Sequence, residues 1–192
     1  MEQKKLLTAA DIETPLPFKV STPCMFFDLG DILYPEQSKM KFDFDVYLPT
    51  KGINLQRPLV WSLFQKQEFI MSVLLERGLP PFYAVQRKED SKKVDRVIKI
   101  IDGKQRLTTL VSFVKNEFPI QVNGRKYYFD DLDKRLKHRV YGLSLNTCMV
   151  HEYVDCGDNI SDDDLIKWFC LINFSGTPQD KEHMLKLTEV VK

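Results

Sequence analysis

Residues 94–116, VDRVIKIIDGKQRLTTLVSFVKN, set the tightest constraint on the fold. The first eight alternate in character and then become fully apolar, as a strand entering a core does. The strand stops at Asp102-Gly103 and an amphipathic helix begins at once. Leu107, Leu110, Val111 and Val114 fall at i, i+3, i+4 and i+7, with Gln105, Thr109, Ser112 and Asn116 on the other side. Both element types must therefore share one core.

The rest of the chain mixes the two without regular βαβ alternation, which predicts an α+β fold. A short helix is expected within 26–34 and a strand over 42–48. A long helix follows over 59–77, with Val60, Leu63, Phe64, Ile70, Met71, Leu74 and Leu75 as its apolar stripe. Gln67 falls on that stripe and needs hydrogen-bond partners there. Strands are expected over 82–86 and 94–101, joined by the polar turn RKEDSKK, and over 143–154. A hairpin is expected around Asn123-Gly124, and a short basic helix over 131–139. Ser161 and Asp164 open a helix reaching about Ile172, and Thr177-Pro178 opens a last one.

A chain of 192 residues is expected to form one domain over 1–192, with 1–24 as an N-terminal extension. No apolar run approaches the roughly 20 residues of a membrane helix, and residues 1–18 lack the core of a signal peptide. A cytoplasmic, reduced setting is expected. The 28 basic and 27 acidic residues nearly cancel, so any nucleic-acid contact needs a local patch. Residues 125–139 hold six basic against three acidic side chains, and residues 87–106 eight against four; a solvated face is the commoner outcome of such runs. Cys24, Cys148, Cys156 and Cys170 show no CxxC spacing, and His138, His151 and His183 form no metal-binding pattern. Asp162, Asp163 and Asp164 diverge around a helix, so they suit its N-terminus better than a metal.

The chemistry concentrates at Asp102-Gly103-Lys104-Gln105-Arg106. First-turn amides have no partner inside the helix and carry partial positive charge, which makes that end an anion site. Gly103 permits a sharp turn and a close ligand approach. Lys104 and Arg106 add charge, although they diverge by about 200° around the helix and converge only on a ligand at its end. Asp102 can cap the helix, hold Mg²⁺ or orient a water. An N-cap with solvated basic residues explains the same spacing. Gln56-Arg57-Pro58-Leu59-Val60-Trp61 leads into the long helix, where Arg57 can serve a phosphate or a surface ion pair, and Trp61 a core.

Taken together, INLQRPLVWSLFQKQEFIMSVLLERGLPPFYAV, VIKIIDGKQRLTTLVSFVKNEFPI and LINFSGTPQDKEHMLKL resemble the N-terminal domain of GmrSD-type modification-dependent restriction enzymes. The likeness covers roughly residues 25–190, with three motifs in order. It implies a ParB/sulfiredoxin-like fold, a small mixed sheet with flanking helices. It also implies nucleotide binding, and in several members hydrolysis, at a DGQQR motif that falls here on Asp102, Gly103, Lys104, Gln105 and Arg106. Gln56, Arg57 and Trp61 carry the second motif, and Asn173, Gly176, Thr177 and Pro178 the third. Lys104 stands where longer members have glutamine, as in short relatives of phage and mobile elements. Longer members continue into an HNH nuclease domain, so autonomous cleavage of DNA is not expected of these residues.

The resulting expectation is a bacterial or phage-encoded domain that binds a nucleoside triphosphate with Mg²⁺, extending to weak NTPase activity, in phage–host conflict or DNA metabolism. Arg57, Lys104 and Arg106 would hold phosphates; Asp102 would position Mg²⁺ or water, with Asp102 and Arg106 as the catalytic pair. Gln56, Gln67, Gly103, Gln105, Thr108 and Asn173 would complete the nucleotide site. The alternative is a non-catalytic interaction or DNA-binding module that controls a separately encoded partner such as a nuclease. A third reading keeps the fold without the site, and internal ion pairing of Lys104 and Arg106 would be its mark.

Overall fold

The computed structural model describes residues 18, 20–25, 27–86, 96–151 and 160–174. Its centre is a five-stranded mixed sheet. In chain order the strands are β1 (Cys24–Met25), β2 (Met40–Asp43), β5 (Phe82–Gln86), β6 (Arg96–Asp102) and β9 (Asn146–His151), arranged β1-β9-β5-β6-β2. β6 lies antiparallel to β5 and parallel to β2, while β9 lies parallel to β5 and antiparallel to β1. Two hairpins stand apart: β3 (Tyr47–Leu48) with β4 (Ile53–Asn54), and β7 (Ile120–Val122) with β8 (Arg125–Tyr127). The helices are α1 (Leu29–Leu33), α2 (Pro35–Ser38), α3 (Leu63–Leu74), α4 (Lys104–Val114), α5 (Lys134–Tyr141) and α6 (Asp162–Phe174). The α+β class and the small mixed sheet with flanking helices are as the sequence indicates.

Period-two alternation divides the core between the sheet's faces. Phe82, Ala84, Ile98, Ile100 and Met149 point to one side, where Ile70 and Val73 of α3 and Leu107, Leu110 and Phe113 of α4 cover them. Val85, Ile101 and Val150 point to the other, against Leu165, Ile166, Trp168 and Phe169 of α6 and against Val46, Leu48 and Leu55 of the β3–β4 region. Each such side chain contributes roughly 1.5–3 kcal/mol when fully buried. The end of β6 is consequently held from both sides, and that end is where α4 starts.

Several element bounds differ from those the sequence suggests. The strand expected over 42–48 breaks after Asp43, because the Asp43 carboxylate accepts from the amides of Asp45 and Val46 and turns the chain. The helix expected over 59–77 begins only at Leu63, capped by Ser62 and Gln65, and ends at Leu74. Its buried face is Phe69, Ile70, Val73 and Leu74, whereas Val60, Leu63, Phe64 and Leu75 are exposed. Asn123 and Gly124 both take positive φ, 51° and 75°, as a tight hairpin requires. The turn at 87–93 and the helix expected from Thr177 lie outside the described residues. Cys24, Cys148 and Cys170 are free thiols, and among the described residues no helix is long and apolar enough to cross a membrane.

Candidate functional site

A cleft of about 260 Å³ opens where β6 passes into α4, lined by Gln56, Arg57, Trp61, Pro80, Asp102, Gly103, Lys104, Gln105, Arg106, Phe169 and Asn173. Eight of the ten site residues expected from the sequence thus meet in one place together with Trp61, drawn from three separate stretches of chain. Two do not. Gln67 donates to the carbonyl of Pro119 at 2.8 Å, where it anchors the approach to β7. The Thr108 hydroxyl donates back to the Lys104 carbonyl at 2.7 Å, within its own helix.

Gly103 is the pivot. Its φ is 114°, a backbone state that side chains rarely adopt, and a Cβ there would lie 2.3 Å from Cδ1 of Phe82. The turn lets α4 begin directly at the strand end. No side chain caps that beginning. The other helices of comparable length are capped, α3 by Ser62, α5 by Asp133 and α6 by Ser161. Asp102 is accordingly not an N-cap: its Oδ2 receives a hydrogen bond from Arg106 at 2.8 Å.

Each basic residue at the motif has a distinct situation. Lys104 is only 8% exposed, and its ammonium donates to Oδ1 of Asp45 at 2.6 Å. The Asp45 side chain is 71% exposed, so water reaches the pair from one side. Arg106 is engaged more fully. Besides Asp102 it donates to the carbonyls of Pro80 at 2.5 Å and Pro81 at 3.1 Å, and its guanidinium lies 4.3 Å from the Phe82 ring centroid. Burial pushes its pKa below the usual arginine value, while the Asp102 carboxylate pulls the other way. Arg57 has no hydrogen-bond or ion-pair partner among the described residues, and it lines the cleft.

Three amides build the frame. Gln105 accepts from the backbone N–H groups of Val60 and Trp61, at 3.1 and 3.3 Å, and donates to the Pro58 carbonyl at 2.9 Å. It therefore fixes the loop that carries Arg57. Gln56 donates to the carbonyls of Ile100 and Ile101 at 2.8 and 2.5 Å, which binds the same loop to β6. Asn173, nearly buried on α6, donates to the Phe169 carbonyl at 2.8 Å. Trp61 is half-buried, tilted against Phe69 with centroids 5.5 Å apart, and presents its remaining surface to the cleft.

Five participants, Asp45, Pro80, Pro81, Phe82 and Phe169, have no counterpart among the site residues expected from the sequence. Asp45 falls inside the strand expected over 42–48, and Pro80-Pro81 lie just past the helix expected over 59–77. Phe82 falls in the strand expected over 82–86 and Phe169 in the helix expected from Ser161 to about Ile172, neither at a motif position. A β-branch-poor FDFD run followed by Pro49 was the available hint of a turn at Asp45. Among the described residues no group of three or more His, Cys, Asp or Glu side chains could hold a metal ion. Asp162 instead accepts from Thr50, and Asp163 pairs with Lys51 at 2.6 Å.

Residues 53–187 match the family model of the GmrSD restriction endonuclease, N-terminal domain, which is well over half of the chain. Neither the curated proteins nor the solved structures gave a match.

Proposed function

Since this chain belongs to the family of the GmrSD restriction endonuclease N-terminal domain, we propose that its cleft binds the phosphates of a nucleoside triphosphate, on a ParB/sulfiredoxin-like fold, in restriction or phage–host conflict. The observation that carries this reading is the uncapped start of α4 sharing one cleft with the guanidinium of Arg57, which is unpartnered among the described residues. Free first-turn amides and a lone guanidinium are complementary to an anion. A volume of about 260 Å³ suits the triphosphate tail, with the base lying toward Trp61 at the mouth.

The geometry supports the following roles in this reading. Arg57 is the free phosphate ligand. Lys104 joins it by exchanging Asp45 for a phosphate oxygen, a swap made cheap by the solvent exposure of that pair. Arg106 acts as a positioning residue, because three of its five donors are engaged by Asp102 and two carbonyls. Gly103 lets the phosphate approach the backbone, and Gln56, Gln105 and Asn173 hold the walls.

A magnesium ion fits this donor set only as a companion of the nucleotide. Asp102 offers Oδ1, its Oδ2 being held by Arg106, and Mg²⁺ commonly takes one carboxylate, waters and substrate phosphates. Such an ion would neutralise charge on the phosphates. Any hydrolysis would rest on positioning and charge stabilisation by Arg57 and Lys104, with Asp102 orienting water.

Calorimetric titration with ATP, GTP, CTP and UTP in Mg²⁺, beside Arg57→Ala, tests the reading. Binding by the wild type that Arg57→Ala weakens at least tenfold supports it. Where binding is seen, phosphate release separates turnover from a switch; absence of binding to all four nucleotides overturns the reading.

A second reading, a structural or interaction protein that keeps the fold without the nucleotide site, is favoured by a specific pattern. Lys104 and Arg106 both make internal pairs. Beside the cleft, Leu59, Val60, Leu63 and Phe64 are all more than half exposed, with Phe64 at 70%. An apolar cluster of this kind suits a protein partner. Phe64→Asp would abolish such an association and leave nucleotide titration unchanged.

A further inference from the structure

A larger hollow, about 600 Å³, lies between the C-terminal end of α3 and the helix α5, and shares no lining residue with the motif cleft. Arg77, Arg135, His138 and Arg139 line it. Arg139 is committed to the fold: it donates to the Leu74 carbonyl at 2.6 Å and pairs with Glu76 at 3.2 Å. Arg77 and Arg135 have no partner among the described residues, and both are exposed. The hollow therefore carries two uncompensated guanidiniums, and Glu76, its one carboxylate, is already paired.

A second hollow of about 340 Å³ adjoins it across His138. Its walls are of a different character: Leu132, Tyr141 and the stems of Lys134 and Lys137. Tyr141 stays 43% exposed although its ring packs edge-on against Phe129 at 5.4 Å. Lys137 is turned toward Phe129 and the Asp130 carbonyl, which leaves the floor between them apolar.

An anion site beside an apolar, aromatic-walled hollow repeats the chemistry of one nucleotide unit of an unpaired strand, a phosphate and then a base. Single strands are held in this way, by cationic grooves and by bases stacked on aromatic rings. A duplex keeps its bases stacked internally and offers nothing to the apolar hollow, and a peptide would match both hollows only with an acidic and an aromatic side chain at the right spacing, whereas every nucleotide of a strand carries both groups. We propose that α5 and the C-terminal end of α3 bind single-stranded nucleic acid, with phosphates at Arg77 and Arg135 and a base against Tyr141.

The two clefts touch through one segment. Gly78 and Leu79 line the basic hollow, and Pro80 lines the motif cleft. The strand-binding site nevertheless needs no nucleotide, so its test stands apart from that of the motif cleft.

The test is fluorescence anisotropy with labelled dT15 and with a 15-base-pair duplex, without nucleotide, over a salt series. The whole chain is used, and melting curves verify the folding of each variant. Tighter binding of dT15 than of the duplex is expected, by about tenfold or more. Arg77→Ala/Arg135→Ala should weaken dT15 binding by about tenfold or more and reduce the salt slope by roughly 1.4, two contacts at about 0.7 each. Tyr141→Ala should weaken dT15 binding about fivefold or more with the slope unchanged. Should Tyr141→Ala fold poorly, the arginine variant decides alone, since both its side chains lie free in solvent. Failure of dT15 to bind, equal binding of the duplex, or a wild-type slope in the arginine variant would each overturn the proposal.

Discussion

The side chain of Gln105 holds the backbone of Trp61: its Oε1 accepts from the Trp61 amide at 3.3 Å and from the Val60 amide at 3.1 Å, while its Nε2 donates to the Pro58 carbonyl. One residue in the first turn of α4 therefore fixes a loop 44–47 positions earlier in the chain. That loop brings Arg57 to the mouth of the cleft and exposes Leu59, Val60 and Phe64 beside it.

Gln105→Ala releases this loop without opening the core. Three hydrogen bonds at about 0.5–1.5 kcal/mol each, partly replaced by water, give a loss of roughly 1–3 kcal/mol. Because Arg57 then loses its fixed position, nucleotide affinity should fall by more than the change in stability alone implies, about tenfold at temperatures where the variant stays folded. Denaturant melts and calorimetry on the same preparation measure both. Unchanged affinity would remove Arg57 from the site.

Asp45→Ala separates the two functional readings. The Lys104 pair is open to solvent on the aspartate side, so its loss should cost no more than about 1 kcal/mol. If Lys104 serves phosphates, freeing it strengthens nucleotide binding severalfold. If the pair exists only to hold the β6–α4 junction, the variant melts earlier and binds nothing. Thermal melts and a titration with triphosphate distinguish these outcomes.

Gly103→Ala meets two obstacles at once. The backbone there sits at φ 114°, and the new methyl group would strike the Phe82 ring, which is itself fully buried. Strain and overpacking each cost about 1–3 kcal/mol, so a loss of at least about 2 kcal/mol is expected. A urea midpoint within error of the wild type would show that the turn relaxes freely.

Stability should also decline in alkali. Burial raises the pKa of the Cys148 thiol from its usual value of 9.0 and of the Tyr83 phenol from 10.0, and Cys148 and Asp102 push Tyr83 further in the same direction. Both groups prefer their neutral form in the folded chain. Their contribution is therefore fully present below the unfolded pKa values and is lost as pH rises through the folded ones. Urea midpoints should be flat in these terms up to about pH 8 and fall above it, less steeply for Tyr83→Phe. A midpoint that rises between pH 9 and 10.5 would contradict the assignment.

The sheet and the motif junction were legible in the sequence because their signals are local. Ile98, Ile100 and Ile101 alternate and then fill both faces of β6, and Leu107 and Leu110 recur at helical spacing. The hairpin at Asn123-Gly124 needs only two residues with positive φ. The convergence of Gln56, Arg57 and Asn173 on Asp102–Arg106 came from the order of three motifs, since spacing alone cannot bring distant segments together. The start of α3 was misjudged for a physical reason. Val60, Leu63 and Phe64 have helical spacing, yet the Gln105 amide takes the backbone of 58–61 into a loop, a tertiary contact that no window of sequence contains. The pairing of Lys104 with Asp45 was hidden in the same way, because Asp43 turns a strand that periodicity extends.

Arg106→Lys is the sharpest probe of what the motif arginine does. A lysine keeps the charge and can reach Asp102, but it cannot span the carbonyls of Pro80 and Pro81 while lying over the Phe82 ring. If Arg106 chiefly held phosphate, the lysine variant would stay as stable as the wild type and would lose nucleotide affinity. The bonds instead make it the tie between β6, the 78–81 segment and α4. The substitution should therefore cost roughly 1–3 kcal/mol of stability. Because Gly78 and Leu79 belong to the basic hollow and Pro80 to the motif cleft, a loosened segment disturbs both walls together. Affinity for dT15 and for triphosphate should fall in Arg106→Lys, whereas Arg57→Ala should affect the triphosphate only. Denaturant melts with the two titrations decide it, and full stability in Arg106→Lys would return this arginine to the list of phosphate ligands.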